Sequence, residues 1–503
     1  MASLIPAGAS ILTDLQIDPK SLRSLGPGRQ RSTYQAIINW LTRYHPTPAA
    51  SNLERVKGLL EAFDLLCAIA AWSAAHKILT ISLNTPAAQK LGNQLHTWGY
   101  FQTQIHLHSQ LLDHLEPMQR SAALVAVGNA YTAIGQDPEG IRHFEAALTL
   151  NRARPHSAGV STALMNLGIT HVSLGNYETA LKYLQDALAI TQKLAMLKAQ
   201  ADVLANIGGA YMAMGNYPTA TQYHQQAIAL AQASSDRPGE AASLKDLGNL
   251  CFLTGEFTPA IEHYQQAIDL AQTFENPALQ VDSLNVLGSV YVTQGRLAPA
   301  TDCYEQALTL AQAMGSRRRE ANALINLGNI AATAQQWAAA AAHYQQALQI
   351  THAIGNRKGA GDLHNNLGYL HHRQKDYRPA IYHYQQALAI AQQTDDLQMQ
   401  ANAHNNLGSV YRALGDYEPA LSHLQQALAL KQHIHDQAGA ARTWFNLGQV
   451  LAQCRDDPAA ALTAYRNAAT QFEQLGLPQP LARCQRAIAQ LASAPNSDSR
   501  SPD

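Results

Sequence analysis

The chain carries few charged side chains and no excess of either sign. Of its 503 residues, 14% are Asp, Glu, Lys or Arg, and the formal net charge is −1. Nucleic acids and anionic membrane surfaces attract proteins with a clear basic excess, so the composition argues against both partners. Two short basic stretches, residues 316–320 and 356–359, are interpreted as solvated loops because no aromatic residues are interleaved with them.

Cysteine is scarce, and long apolar runs are missing. The five cysteines form no C-x-x-C pair, which predicts free thiols in a reducing compartment and no disulfide framework. The most apolar stretch, residues 59–72, is too short to cross a bilayer and contains two carboxylates. The N-terminus also lacks a basic segment followed by an apolar run, which is the pattern of a secretion signal. We therefore expect a cytoplasmic protein without membrane insertion.

Motifs that carry catalysis are missing from the sequence as well. The stretch GPGRQRST, residues 26–33, has the glycines of a phosphate loop but neither its lysine nor its spacing. Neither H-E-x-x-H nor G-x-S-x-G occurs. The sequence predicts no catalytic residue, no cofactor and no enzymatic activity. A helical-repeat enzyme, with a site assembled from distant residues, is the least favoured alternative.

What the sequence does contain is an internal repeat. Glycines recur every 40 residues at Gly128, Gly168, Gly208, Gly248, Gly288, Gly328, Gly368, Gly408 and Gly448, which we call the reference glycines. A looser copy lies around Gly92, 36 residues before the first of them. A period of this size indicates a solenoid, in which each unit packs on its neighbours. About ten units are predicted between residues 87 and 475.

Each unit is predicted to fold as two helices. Apolar residues near the reference glycine, such as Leu164 and Leu167, have the spacing of one helix face. A second glycine follows seven residues later in most units, where a left-handed helix stop is expected. Alanine recurs at two positions of the second helix, Ala180 and Ala187 in one unit, which indicates a close approach of helices. In three units the turn glycine is replaced, by Gln335, Lys375 and Arg455.

The pattern resembles the tetratricopeptide-repeat family, whose signature places Leu-Gly, Tyr, Ala, an aromatic residue and Ala at these offsets. The match covers residues 87–475, and its period of 40 resembles the long repeats of kinesin light chains and of spindle-orienting G-protein modulators. The resemblance implies an all-α fold, a right-handed superhelical solenoid with a concave wall. It also favours a bacterial, specifically cyanobacterial, protein, because the N-terminal segment resembles the region before such arrays in cyanobacterial signalling proteins.

The flanks do not follow the period. Residues 1–30 contain several glycines and prolines and are predicted to form a flexible leader. Residues 31–86 have a helical pattern and are predicted to cap the first unit, since the ends of a solenoid need a polar cover. After the array of residues 87–475, residues 476–491 are predicted to form a C-terminal capping helix and residues 492–503 a disordered tail.

Two histidines suggest a metal site, but the repeat argues against it. His364 and His371 are seven residues apart and therefore share a helix face. Other units place Leu164 and Tyr131 at these two positions, so we interpret both histidines as substitutions in the core. The sequence predicts no metal ligands.

A second stripe of residues runs along the first helix of each unit. Two residues before the reference glycine, the chain repeatedly carries asparagine, at Asn166, Asn206, Asn326, Asn366, Asn406 and Asn446. An asparagine amide can donate to and accept from an extended peptide backbone. The resemblance implies the same role, because this stripe faces the concave wall in tetratricopeptide proteins. The alternative is that these amides only bridge neighbouring helices.

The remaining positions of the stripe change along the array. Early units carry apolar side chains, and late units carry polar or basic ones: Met165, Met212 and Phe252, then Asn365, Asn405, Arg373, Arg412 and Arg442. We therefore predict a peptide-binding groove that is apolar at one end and basic at the other, suited to a partner with apolar anchors and an acidic stretch. The alternative is that the leader or the tail of the same chain fills the apolar part.

The sequence thus predicts a non-enzymatic scaffold or adaptor that binds a protein or peptide segment in its concave groove, within signalling or complex assembly. The alternative function is a sensor arm that works with a separately encoded signalling NTPase. No pattern in the sequence indicates an oligomeric state.

Overall fold

The computed structural model describes residues 4–23, 28–47, 50–85, 88–153, 158–454 and 458–493. These residues are almost entirely α-helical, and the only β-bridge among them joins Ser82 and Lys90. The prediction of an all-α fold is confirmed. The chain divides into two compact units, which we describe separately: Met1–Ile330 with Ala353–Gly355, and Ala331–His352 with Asn356–Asp503.

The first unit begins with a group of helices that we call the N-terminal body: α1 (Gly8–Asp14), α2 (Arg29–Arg43), α3 (Asn52–Arg55), α4 (Lys57–Ala68), α5 (Trp72–Leu79), α6 (Leu91–Trp98) and α7 (Phe101–Leu111). Its core buries Ile11 and Leu12 of α1 together with Ile37 and Phe63. The structure therefore differs from the expectation of a flexible leader over residues 1–30, because burial of apolar side chains holds α1 in place. Residues 24–27 lie outside the described part of the chain.

The looser repeat around Gly92 corresponds to α6 and α7. These helices have 8 and 11 residues, whereas the helices of the regular repeats have 16 to 18. The buried side chains of Leu91, Leu95 and Leu107 belong to the core of the N-terminal body. This pair is therefore part of the N-terminal body, although α7 also packs on the first regular repeat.

Helix pairs of regular length follow, and each pair consists of an A helix and a B helix. In chain order they are α8 (Pro117–Ala133) and α9 (Asp137–Arg152), α10 (Ala158–Ser173) and α11 (Tyr177–Lys193), α12 (Leu197–Ala213) and α13 (Tyr217–Ala233), α14 (Arg237–Leu253) and α15 (Phe257–Thr273), α16 (Pro277–Thr293) and α17 (Leu297–Ala313), α18 (Arg317–Thr333) and α19 (Trp337–Ala353), α20 (Arg357–Arg373) and α21 (Tyr377–Gln393), α22 (Leu397–Leu414) and α23 (Tyr417–His433), and α24 (Gln437–Cys454) and α25 (Pro458–Gln474).

The reference glycine lies where the A helix meets a large side chain of its own B helix. A Cβ atom added at Gly248 would lie 2.7 Å from the ring of Tyr264, and one added at Gly368 would lie 2.8 Å from the ring of Tyr384. Both rings are almost completely buried. A larger residue at the glycine would overpack this contact, which explains why glycine recurs at this position. The alanine at the first recurring position of the B helix, such as Ala180, is fully buried, as predicted.

Both turns of the repeat use a left-handed residue. The predicted turn glycines, such as Gly175, have positive φ, and the replacements Gln335 and Lys375 adopt the same conformation with φ of 57° and 63°. The replacement Arg455 lies outside the described residues. In the described turns from a B helix to the next A helix, one residue also has positive φ, which the sequence did not reveal because it is seldom glycine. Ala195 and Glu275 are two examples.

In the second unit, helix α26 (Pro478–Ala492) follows the last pair. Its Cys484 is fully buried against Phe472 and Ala468 of α25. The C-terminal capping helix predicted for residues 476–491 falls on this helix, whereas residues 494–503 of the predicted tail lie outside the described residues. Among the helices that the structure describes, none is both long and apolar enough to span a bilayer.

Candidate peptide-binding surface

The A helices form the more closely spaced layer of each unit. In the first unit α8, α10, α12, α14 and α16 contact one another in sequence, and in the second unit α20, α22 and α24 do so. Among the described residues, contacts between successive B helices are marginal at most. Neighbouring repeats of each unit therefore approach one another most closely through their A helices.

Three of the predicted asparagines bridge neighbouring A helices through their side chains. The Nδ2 atom of Asn406 donates to Oδ1 of Asn365 at 2.7 Å, and that of Asn446 donates to Oδ1 of Asn405 at 2.9 Å. In the first unit, Asn326 makes the equivalent bond to Asn285 at 3.1 Å. The bridging role, which the sequence left open as an alternative, therefore occurs at these three asparagines.

The bridge uses only part of each amide. An asparagine side chain has two N–H donors and an acceptor oxygen, and the bridge takes one donor of Asn406 and one of Asn446. Both residues are half-buried. The bridge also fixes the orientation of the amide, so its remaining polar groups have a defined direction. Asn206 instead donates to the carbonyl oxygen of Asp202 in its own helix, and Asn166 and Asn366 are half-buried like the others.

The stripe predicted along the first helix of each repeat lies on the A helices, and we call it the A-helix stripe. Its apolar positions lie in the first unit. Met165, Met212 and Phe252 are half-buried, and the adjacent Ile169 and Leu253 expose 41% and 53% of their surface. These side chains give the A helices of the first unit apolar residues that are only partly covered. The structure places them on the A helices, as the spacing predicted.

The basic positions of the stripe lie in the second unit. Arg373 and Arg442 are exposed and Arg412 is half-buried. Within the described residues, none of these three guanidinium groups takes part in an ion pair. Burial comes first among the causes that lower the pKa of His372, and the positive charges of Arg412 and Arg373 lower it further. This part of the stripe therefore carries positive charge that no carboxylate of the described residues pairs.

The second unit contains two pairs of histidines in contact, which were not predicted from the sequence. The Nδ1 atoms of His364 and His383 are 3.0 Å apart, and those of His404 and His423 are 2.9 Å apart. Each pair joins an A helix to its own B helix. Burial and the neighbouring rings lower the pKa of His383 and of His404 to about 4, so both pairs are neutral at pH 7. The signal was present in the repeat, because both residues of each pair recur after 40 positions.

The N-terminal body lies against turns between the repeats of its own unit. A Cβ atom added at Gly99 would lie 3.3 Å from Ile354, and one added at Gly355 would lie 3.7 Å from Gln102. The side chain of Asn52 lies directly against Gly315. Because α1 is buried in the core of the N-terminal body, the described part of the leader does not occupy the A-helix stripe.

Comparison with known protein families agrees with this architecture. Models of the tetratricopeptide repeat match residues 119–193, 199–273, 319–393, 359–433 and 399–474, and a further model of the same repeat matches residues 285–352. These segments cover more than half of the chain, and the chain belongs to the tetratricopeptide repeat family. No curated protein matches it.

Several solved structures are similar to parts of the chain. The Pyrococcus horikoshii signal transduction ATPase with a tetratricopeptide repeat sensor is 15% identical over 86% of this chain and 64% of its own, with a TM-score of 0.48. A Rap protein complexed with competence and sporulation factor is 15% identical over 69% of this chain and 99% of its own, with a TM-score of 0.43. The kinesin light chain-like repeats of Podosopora anserina are 20% identical over 39% of this chain and 97% of their own, with a TM-score of 0.31.

Proposed function

We propose that this chain is a non-enzymatic scaffold or adaptor, and that it binds an extended peptide or partner segment along the A-helix stripe. It would act in a signalling or assembly complex of the cytoplasm. Tetratricopeptide repeats generally serve as surfaces for protein interaction, which supports a protein or peptide partner. The proposed partner has apolar anchors for the stripe of the first unit and an acidic stretch for that of the second.

One observation carries the proposal: oriented amides and unpaired guanidinium groups recur on the same layer of helices. The bridges fix Asn406 and Asn446 while leaving each of them a donor and an acceptor. Arg412 lies on the same layer without an ion pair in the described residues. Amides can bond a peptide backbone of any sequence, whereas arginine selects acidic side chains.

The experiment is a peptide-binding assay on the full chain. An array of extended peptides with apolar anchors and Asp or Glu runs is screened, and the affinity of the strongest peptide is measured by fluorescence anisotropy. The triple variant Asn366→Ala, Asn406→Ala, Arg412→Ala is expected to weaken binding about tenfold or more, because hydrogen bonds that involve a charged group are worth about 1.5–3 kcal/mol.

A matched control removes the same chemistry from B helices of the same unit. Gln385→Ala, Gln425→Ala and Arg378→Ala delete two amides and one guanidinium group from exposed positions of α21 and α23. This variant is expected to keep the affinity of the unaltered chain. Equal loss in both variants, or full affinity in the A-helix variant, would refute binding along the stripe. A sensor arm of a signalling NTPase would instead bind no peptide of the array and retain an NTPase in a pulldown.

A further inference from the structure

A large cavity lies in the first unit, between the N-terminal body and two turns of the repeats. Its volume is about 1070 Å³, comparable with or larger than the pockets that hold small molecules. The body contributes residues 50–52, 55, 84, 85, 89, 94, 96–98 and 101 among others, and the turns contribute residues 274–278 and 312–320. The A-helix stripe does not form this cavity, so its ligand would be distinct from the proposed peptide.

The charged side chains that line the cavity are mostly arginines: Arg55, Arg317, Arg318 and Arg319, with Glu275 and Glu320. Arg319 donates to both carboxylate oxygens of Asp282, at 2.9 and 2.7 Å, and Arg317 lies 3.0 Å from Glu320. Arg318 is exposed and takes part in no ion pair in the described part of the chain. The interpretation of residues 316–320 as a solvated loop is therefore wrong: residues 317–320 form the first turn of helix α18, and all five residues line a cavity.

The positive charge of Arg318 acts on the opposite wall of the cavity. Burial comes first among the causes that lower the pKa of His96, and the charges of Arg318 and Arg319 lower it further. His96 belongs to α6 of the N-terminal body and also lines the cavity. Among the arginines of the α18 wall, Arg318 is thus the one whose charge no carboxylate of the described residues pairs.

The wall that carries Arg318 also carries the N terminus of α18. The first N–H groups of a helix lack partners within the helix and carry a partial positive charge, so the unpaired guanidinium group of Arg318 in this turn is unfavourable unless an anion is near. Ser316 immediately precedes α18 and lines the cavity. It is fully buried, and its Oγ atom has no hydrogen-bond partner among the described residues. By contrast, Asn276 and Asn356 cap the A helices of neighbouring repeats through their side chains.

The cavity also has an apolar side. Phe274, which belongs to the neighbouring turn, exposes 45% of its surface and lines the cavity, as does the half-buried Met314. A cavity lined both by the unpaired donors of Ser316 and Arg318 and by an exposed aromatic ring fits a molecule with an anionic end and an apolar or planar end.

We propose that this cavity binds a small organic phosphate, with the phosphate held by Arg318 and the N terminus of α18 and the apolar part against Phe274. A phosphate has several acceptor oxygens and two negative charges near neutral pH. It can therefore engage a guanidinium group and main-chain N–H groups together. The site lies where the N-terminal body meets the repeats, so the ligand would contact both.

The test uses phenyl phosphate as the probe, with phenol as the matched probe that lacks the phosphate. Binding to the full chain is measured by calorimetry at low ionic strength, where charge interactions are least screened. Phenyl phosphate is expected to bind with a dissociation constant of about 1 mM or tighter, whereas phenol should show no binding. Arg318→Ala is expected to weaken binding about tenfold or more, and Phe274→Ala to reduce the preference for phenyl phosphate over inorganic phosphate.

The control variant is Arg378→Ala, which removes an exposed arginine that does not line the cavity. It should leave the affinity for phenyl phosphate unchanged. Site-specific NMR of the His96 ring, assigned with His96→Gln, should show the pKa of His96 rise when phenyl phosphate binds. The proposal is overturned if about 10 mM phenyl phosphate does not bind, if phenol binds equally well, or if Arg378→Ala and Arg318→Ala have the same effect.

Discussion

Two adjacent glycines in α12 provide a direct test of the packing argument. A Cβ atom added at Gly208, a reference glycine, would lie 2.7 Å from Nε2 and 2.8 Å from Cδ2 of His224. His224 is fully buried, so its ring can make room only by moving against the residues that cover it. A Cβ atom added at Gly209 would meet nothing within 4 Å. The replacements Gly208→Ala and Gly209→Ala therefore add the same methyl group to the same helix in opposite environments.

The two effects can be separated by their magnitudes. Alanine favours a helix over glycine by about 0.5–1 kcal/mol, and this gain applies to both variants. Overpacking of a buried contact costs about 1–3 kcal/mol and applies to Gly208→Ala alone. Gly209→Ala is therefore expected to raise the free energy of unfolding by about 0.5–1 kcal/mol. Gly208→Ala is expected to be about 1–3 kcal/mol less stable than Gly209→Ala, because the helix-propensity gain cancels in the comparison.

The assay is urea-induced unfolding followed by circular dichroism, together with hydrogen exchange of the amides in α12 and α13. The exchange measurement is needed because repeat arrays open locally, so the effect concentrates near the altered repeat. If Gly208→Ala proves as stable as Gly209→Ala, close approach to the B helix is not the reason for the recurring glycine.

Two further predictions concern the turn and the histidine pairs. Lys375→Gly should raise the free energy of unfolding by about 1 kcal/mol in urea unfolding, because a left-handed conformation is costly for lysine, and the reverse change Gly415→Lys should lower it by a similar amount. Lowering the pH from 6.5 to 4 should destabilise the second unit, because His383 and His404, with pKa values of about 4, take up fewer protons over this range in the folded chain than in the unfolded chain. The expected loss is roughly 1–3 kcal/mol after allowance for partial exposure, measured by urea unfolding at both pH values. His404→Leu should lose less stability over the same pH range, and an unchanged loss would show that other groups cause it.

Features that repeat in the sequence were predictable without a structure. The 40-residue recurrence of Gly208 and its equivalents indicated the helix pairs, and the turn glycines indicated left-handed stops that even Lys375 adopts. The contact that requires glycine at the reference position was not predictable. The large B-helix side chain that lies against this glycine differs from repeat to repeat. It is His224 in one repeat and Tyr384 in another.

The site was predictable in its location along the helix but not in its contacts. The spacing placed Asn406 and Arg412 on one stripe, and the structure places them on the same A helix. The bond between Asn406 and Asn365 depends on the distance between neighbouring repeats, which no single helix encodes. Recognition of a peptide by these residues stays a prediction.

The sequence by itself determined the repeat, its two helices and the positions at which glycine or alanine allows helices to approach closely. Each of these depends on residues a few positions apart. Only the tertiary structure decided that α1 is buried and that the N-terminal body meets the turns at Gly315 and Gly355. Those contacts join segments far apart in the chain. The physical reason is that such contacts leave no periodic trace, since they depend on how the stacked repeats bring distant side chains together.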